Sequence, residues 1–87
     1  MKTIYKYKLE VIGQQSIVMP LGAETLSIQA QHGEPCLWAL VDPDNAPTER
    51  SFLIYGTGHI VDHENLLYID TFQMIGGDLI WHVFEQL

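Results

Sequence analysis

Apolar and polar residues alternate along most of this chain, and no window of ten residues carries a convincing helical period. From Thr3 to Val11 the odd positions Tyr5, Tyr7, Leu9 and Val11 are apolar or aromatic, whereas Lys6, Lys8 and Glu10 are charged. A period of two with one wet face predicts a β-strand. Gly13-Gln14-Gln15 then turns the chain into a short strand, Ser16–Met19, stopped by Pro20, so the N-terminus is expected to form a two-stranded hairpin. Glu24 to Gln31 is the cleanest one-sided strand, with Leu26, Ile28 and Ala30 against Thr25, Ser27, Gln29 and Gln31.

After the turn His32-Gly33-Glu34-Pro35, the run Cys36–Val41 is apolar on both faces, as a central strand would be. Asp42 to Glu49 holds two prolines and an asparagine among its acids and reads as an exposed loop. Ser51–Tyr55 is a fifth strand, ended by Gly56-Thr57-Gly58-His59. Val61–Asn65 is a connection, Leu66–Met74 a sixth strand, Gly76-Gly77 a tight turn and Asp78–Glu85 a seventh strand. Seven short strands without a helix predict an all-β fold, a small antiparallel β-sandwich or barrel, in one domain spanning residues 1–87. Val83 and Phe84 then belong to the fold and not to a tail.

Three of these strands (Cys36–Val41, Phe52–Tyr55 and Leu79–Phe84) are apolar on both sides. Either the sheet closes over both faces, or the second face meets another chain in a homo-oligomer, with Trp38, Phe52, Phe72, Trp81 and Phe84 as interface aromatics.

At 87 residues, 47% hydrophobic and 17% charged, the composition excludes intrinsic disorder and allows a single thin core. No apolar run approaches the ~18–20 residues of a membrane span, and MKTIYKYKLE lacks the apolar core of a signal peptide. The single cysteine, Cys36, makes no internal disulfide, which fits a reducing compartment, and reads as a small buried hydrophobe. The net charge is −7, and after Lys2, Lys6 and Lys8 the only base is Arg50. That footprint disfavours nucleic acid and anionic membranes and suits a basic protein partner.

The segments Pro35–Pro43, Tyr55-Gly56-Thr57-Gly58-His59, Thr71-Phe72-Gln73 and Trp81-His82-Val83-Phe84-Glu85, with the opening Lys-Thr-Ile-Tyr-Lys-Tyr and the step Met19-Pro20, form a recognisable set. Together they resemble a family of short uncharacterised proteins encoded by tailed phages and prophages. The chain departs from that pattern before Thr71-Phe72-Gln73, where it has Asp70 and the family it resembles tends to have glycine. The resemblance implies a phage-encoded protein acting in the bacterial cytoplasm and carries no activity or binding residues with it.

Few residues point to chemistry. His59, Asp62 and His63 offer three ligands, two imidazoles and a carboxylate, within five positions, with His82 or Cys36 to complete a tetrahedron. No CxxC pair or HExxH helix supports a metal, and none is assigned. Gly56, Thr57, Gly58 and His59, with His63, form a candidate ligand or nucleotide site, since a flexible backbone, a hydroxyl and imidazoles lie together. It is neither a Walker loop nor a dinucleotide fingerprint. His82, inside an apolar strand, is expected to be a core residue bonded to a backbone carbonyl. No serine sits on a nucleophile elbow, so no enzyme activity and no cofactor are expected.

The leading expectation is therefore a small acidic accessory protein acting by non-enzymatic contact with a host or phage protein. Asp42, Asp44 and Glu49 would meet a basic surface, and Trp38, Phe52 and Trp81 would supply apolar anchors. A small-ligand module at Gly56–His59 is the alternative, and a virion or assembly protein is a third reading.

Overall fold

Each of the seven runs read as strands forms one in the computed structural model, which describes residues 1–11 and 13–87. In chain order they are β1 (Thr3–Lys8), β2 (Gln14–Pro20), β3 (Glu24–Gln31), β4 (Glu34–Val41), β5 (Pro47–Gly56), β6 (Leu66–Met74) and β7 (Leu79–Gln86), with a short 3-10 turn at Ile75–Gly77. β1-β4-β3 make a three-stranded sheet and β2-β5-β7-β6 a four-stranded one, every pairing being antiparallel. The two sheets are separate layers of a sandwich, not a closed barrel.

The pleat sorts side chains into an inner and an outer set. Leu37, Ala39 and Val41 of β4 face inward with Ile28 of β3, Met19 of β2, Phe52 and Ile54 of β5, Phe72 of β6 and Val83 of β7. Each large side chain so buried contributes about 1.5–3 kcal/mol. The accessible surface, 5451 Å², is close to the about 5,200 Å² expected of a compact chain of this mass.

The N-terminal hairpin does not form. β1 pairs with β4 and β2 with β5, so the link between them crosses from one sheet to the other. Leu9 drives this crossing: it is 1% exposed, and its N–H donates to Pro35 O (2.9 Å). The two hairpins that do form carry residues suited to positive φ. His32 and Gly33 (φ 52° and 79°) join β3 to β4, and Gly76 and Gly77 (φ 61° and 94°) help join β6 to β7.

β5 starts at Pro47, so Glu49 belongs to a strand and the acidic loop shrinks to residues 42–46. Arg50 explains the longer strand. It faces inward and makes a bidentate ion pair with Glu85 of β7 (Nε–Oε2 2.6 Å, Nη2–Oε1 2.8 Å), while Nη1 donates to Ala23 O. The hydrogen bond donated to the Glu85 carboxylate holds the guanidinium pKa above its ordinary value. The sandwich closes on its other long side through Asp70 of β6, whose Oδ2 accepts the Ile28 N–H of β3 (2.8 Å) and whose Oδ1 accepts the Thr71 N–H (2.8 Å). Both strands are bulged beside this seam, at Thr25/Ser27 and Tyr68/Asp70.

The outer faces resolve the doubly apolar strands. Leu53 points outward yet is 1% exposed, beside its register partner Phe84. Phe84 in turn meets Tyr55 (6.0 Å, 73°) and Tyr68 (5.7 Å, 69°) edge to face. On the three-stranded sheet, Trp38 and Leu40 stay half-buried on the outer face with exposed Ile4 next to Leu40. No helix among the described residues is long and apolar enough to cross a membrane.

Candidate functional site

β5 ends in a tight turn. Gly56 O accepts the His59 N–H (3.0 Å), and Gly58 has φ 89°, the left-handed value that a type II turn requires at its third residue. The turn folds His59 back over its own start, so that the Gly56 N–H donates to His59 Nδ1 (3.0 Å). A neutral imidazole accepting at Nδ1 carries its proton on Nε2, which leaves Nε2–H as a donor. The ring also stands edge to face against Trp81 of β7 (6.3 Å, 67°).

A cleft of about 290 Å³ opens here, lined by Gly56, Thr57, His59, Asp78, Leu79, Ile80 and Trp81. A second hollow of about 250 Å³, lined by Val11, Gly13, Ile54, His59 and Trp81, shares its two aromatic walls. Trp81 Nε1 is buried and has no hydrogen-bond partner among the described residues. The indole ring packs against the core and forms an apolar wall of both hollows.

Thr57 lines the cleft, but its hydroxyl is turned away from it and meets His82 Nε2 (2.8 Å). His82 Nδ1 meets Thr71 Oγ1 (3.0 Å), which meets the Tyr68 hydroxyl (2.7 Å). His82 is thus not a core residue bonded to a carbonyl: it faces outward from β7, and both ring nitrogens are engaged by threonine hydroxyls. His63 sits apart from the turn, with Nδ1 3.1 Å from the Tyr55 hydroxyl and 3.0 Å from Asp62 Oδ1. Burial raises the Tyr55 pKa above its ordinary value, with the Asp62 carboxylate adding to it. His59 and His63 therefore diverge, and the described residues contain no group of three or more His, Cys, Asp or Glu placed to hold a metal.

The partner-binding candidates scatter. Phe52 is 0% exposed and belongs to the core, because even-numbered positions of β5 face inward; it presents nothing to a partner. Trp38 lies on the outer face of the three-stranded sheet and Trp81 in the cleft wall. Asp42 and Asp44 lie near the start of β5, about 30 Å along the strand from Gly56. Their loop is fixed: Asp42 Oδ1 accepts the Asp44 N–H (3.0 Å), and Asn45 donates from Nδ2 to Leu21 O (2.9 Å). Asp44 and Glu49 are exposed.

Asp78, Leu79 and Ile80 line the cleft without having been singled out from sequence. Their signal is faint: an acid and two apolar residues directly after a glycine pair, where a strand restarts. Cys36 is buried, with Sγ 3.5 Å from Glu34 O.

Fold and site together define an all-β, two-sheet domain with an aromatic-walled cleft at one pole. The chain belongs to the DUF7352 family, a domain of unknown function, which it matches over residues 1–87. No curated protein and no solved structure matches it.

Proposed function

We propose that this protein is a non-enzymatic binding module, a phage-encoded accessory protein of the bacterial host cytoplasm. Its working site is the pole where the Gly56–His59 turn meets Trp81. There it holds a small organic molecule. The observation that carries this reading is the cleft of about 290 Å³ walled by the Trp81 and His59 rings, with His59 pinned by the Gly56 N–H. Apolar and aromatic walls with a small number of fixed polar groups are the usual composition of a small-molecule site. The phage assignment is supported by the sequence resemblance.

The test is a thermal-shift panel of nucleobases, nucleosides, nucleotides, amino acids and divalent metals on the full chain and on His59→Ala. A true ligand at a hundred times its Kd stabilises by about 2.7 kcal/mol. The reading requires at least one organic ligand to shift the wild-type melt and to lose that shift in His59→Ala. A panel without effect on the wild type contradicts it.

The fixed acidic loop favours a second reading, contact with a basic host or phage protein. Asp42 holds the turn while Asp44 and Glu49 project from it and its adjoining strand. Neutralising Asp42, Asp44 and Glu49 together to Asn or Gln is expected to weaken partner capture and its salt dependence. Unchanged capture would remove the acidic loop from the account.

A further inference from the structure

An edge strand presents a row of backbone N–H and C=O groups to any further strand that can reach it. The edges of this sandwich are β1 and β3 of the three-stranded sheet and β2 and β6 of the four-stranded one. β3 and β6 close on each other through the Asp70 carboxylate, which accepts the Ile28 N–H. β1 and β2 remain on the far side, and they differ in charge. β1 carries Lys6 and Lys8, with Lys2 just before it, and lysines on an edge oppose pairing with a like strand. β2 has no charged residue along its whole length.

The register of β2 settles which of its backbone groups are in use. Ile54 N–H donates to Gly13 O (3.1 Å) and Leu21 N–H to Ala46 O (2.7 Å), and both bonds continue the register that sets Ile17 against Arg50. In an antiparallel ladder, residue pairs that exchange hydrogen bonds alternate with pairs that do not. The odd-numbered residues of β2 therefore turn their N–H and C=O toward β5. Gln14, Ser16 and Val18 turn theirs away from it, where no strand among the described residues pairs with them. All three are exposed. The strand is also held in place: the Gln15 side-chain amide donates to Glu10 O (2.7 Å) and accepts the Glu10 N–H (2.9 Å).

This outward row is complementary to itself. A two-fold axis through Ser16 sets Ser16 against Ser16 of a second copy and Gln14 against Val18 in both directions. Every outward N–H of one copy then meets an outward C=O of the other. Pro20, with no N–H to give, ends the row in both copies, so the two rows match in length. The nearest acid on this face is Glu49, beside Val18 on β5. Its counterpart in the second copy lies three strand spacings away, about 14 Å, beyond the screening length of about 8 Å. A charged foreign strand finds no side-chain charge on β2 to pair with, whereas a second copy meets no like charge there. The same operation on β1 would set Lys6 against itself.

We infer that β2 is a self-association edge, on which two copies of the chain pair antiparallel about Ser16 and merge their four-stranded sheets into one.

The experiment is sedimentation equilibrium of the full chain from about 1 µM to about 1 mM, with amide hydrogen exchange followed at both ends of that range. The expected result is a monomer that becomes a dimer as concentration rises. The Gln14, Ser16 and Val18 amides gain protection with it, while those of Ile17 and Met19, bonded to β5, are protected throughout. Ser16→Lys and Ser16→Glu, at an exposed position, should each weaken the dimer by about tenfold or more, and an equimolar mixture of the two should regain it. Ser16→Pro, which deletes the central outward N–H and is tolerated on an edge, should weaken it as well.

A chain that stays monomeric across the range overturns the inference. So does a dimer indifferent to the Ser16 variants, or one whose Gln14, Ser16 and Val18 amides stay unprotected, since its contact lies on another surface. Growth beyond the dimer, the product of head-to-tail pairing of β2 with β1, overturns it too.

Discussion

The imidazole of His59 lies across Gly56, so close that a Cβ on Gly56 would stand 2.9 Å from Cε1 and 3.2 Å from Nδ1 of the ring. Glycine is required there by its neighbour and not by its backbone, since Gly56 is not among the positive-φ residues. Gly56→Ala should therefore alter stability by less than about 1 kcal/mol while displacing His59 from its place beside Trp81. The check is the nitrogen chemical shift of His59 Nδ1 together with the thermal melt. An unchanged Nδ1 environment in Gly56→Ala would show that the contact does not hold the ring.

Arg50 and Glu85 form the inward ion pair of the four-stranded sheet, with side chains only 19% and 10% exposed. Removing one partner strands the other. Arg50→Ala is expected to cost about 3 kcal/mol in urea unfolding, whereas Arg50→Met with Glu85→Leu should recover much of that loss. A double variant as unstable as the single one would mean that the donation to Ala23 O, and not the pair, holds this end together.

Asp70 joins the sheets by accepting the Ile28 and Thr71 N–H groups. Asp70→Ala leaves both donors without their acceptor and should cost about 1–3 kcal/mol. Asp70→Asn keeps one acceptor oxygen and should fall between. The local readout is hydrogen exchange at the Ile28 amide, which should lose protection in both variants. Retained protection would show that the seam closes without the carboxylate.

Phe52 and Trp38 look alike in sequence, each an aromatic on a doubly apolar strand, yet they have opposite fates. Phe52→Ala should destabilise by about 3–5 kcal/mol, the cost of a large cavity in the core. Trp38→Ala, on the outer face of the three-stranded sheet, should cost about 1–2 kcal/mol. Equal losses in chemical denaturation would contradict the assignment of inner and outer faces.

Strand number and type were legible because the outer strands alternate, as at Tyr5 and Tyr7 of β1, and the central ones are short apolar runs bounded by turn residues, as in Cys36–Val41 of β4. Pairing was less so. Alternation reports which side chains share a face, and nothing in Gly13-Gln14-Gln15 distinguishes a hairpin from a crossing between sheets. The buried Leu9 decides for the crossing, through a contact with Pro35 that is distant in sequence.

The site was half legible. Glycines flanking a histidine drew attention to the Gly56–His59 turn, and Trp81 was named for a different role. Their meeting depends on the β5·β7 register that sets Gly56 opposite Trp81. His63 was drawn into the same site by proximity in sequence, but the chain between them carries it to Tyr55. Arg50 and Asp70 show the same limit, since their partners lie 35 and 42 residues away.

The central claim is that a small organic molecule binds in the cleft walled by Trp81 and His59. The most direct measurement follows the two indole N–H resonances, of Trp38 and Trp81, in nitrogen-edited NMR spectra while the organic compounds of the thermal-shift panel are added. The account predicts that the Trp81 resonance moves saturably with a bound molecule and that the Trp38 resonance stays in place. A Trp81 resonance that no compound moves, or a response confined to Trp38, would contradict it.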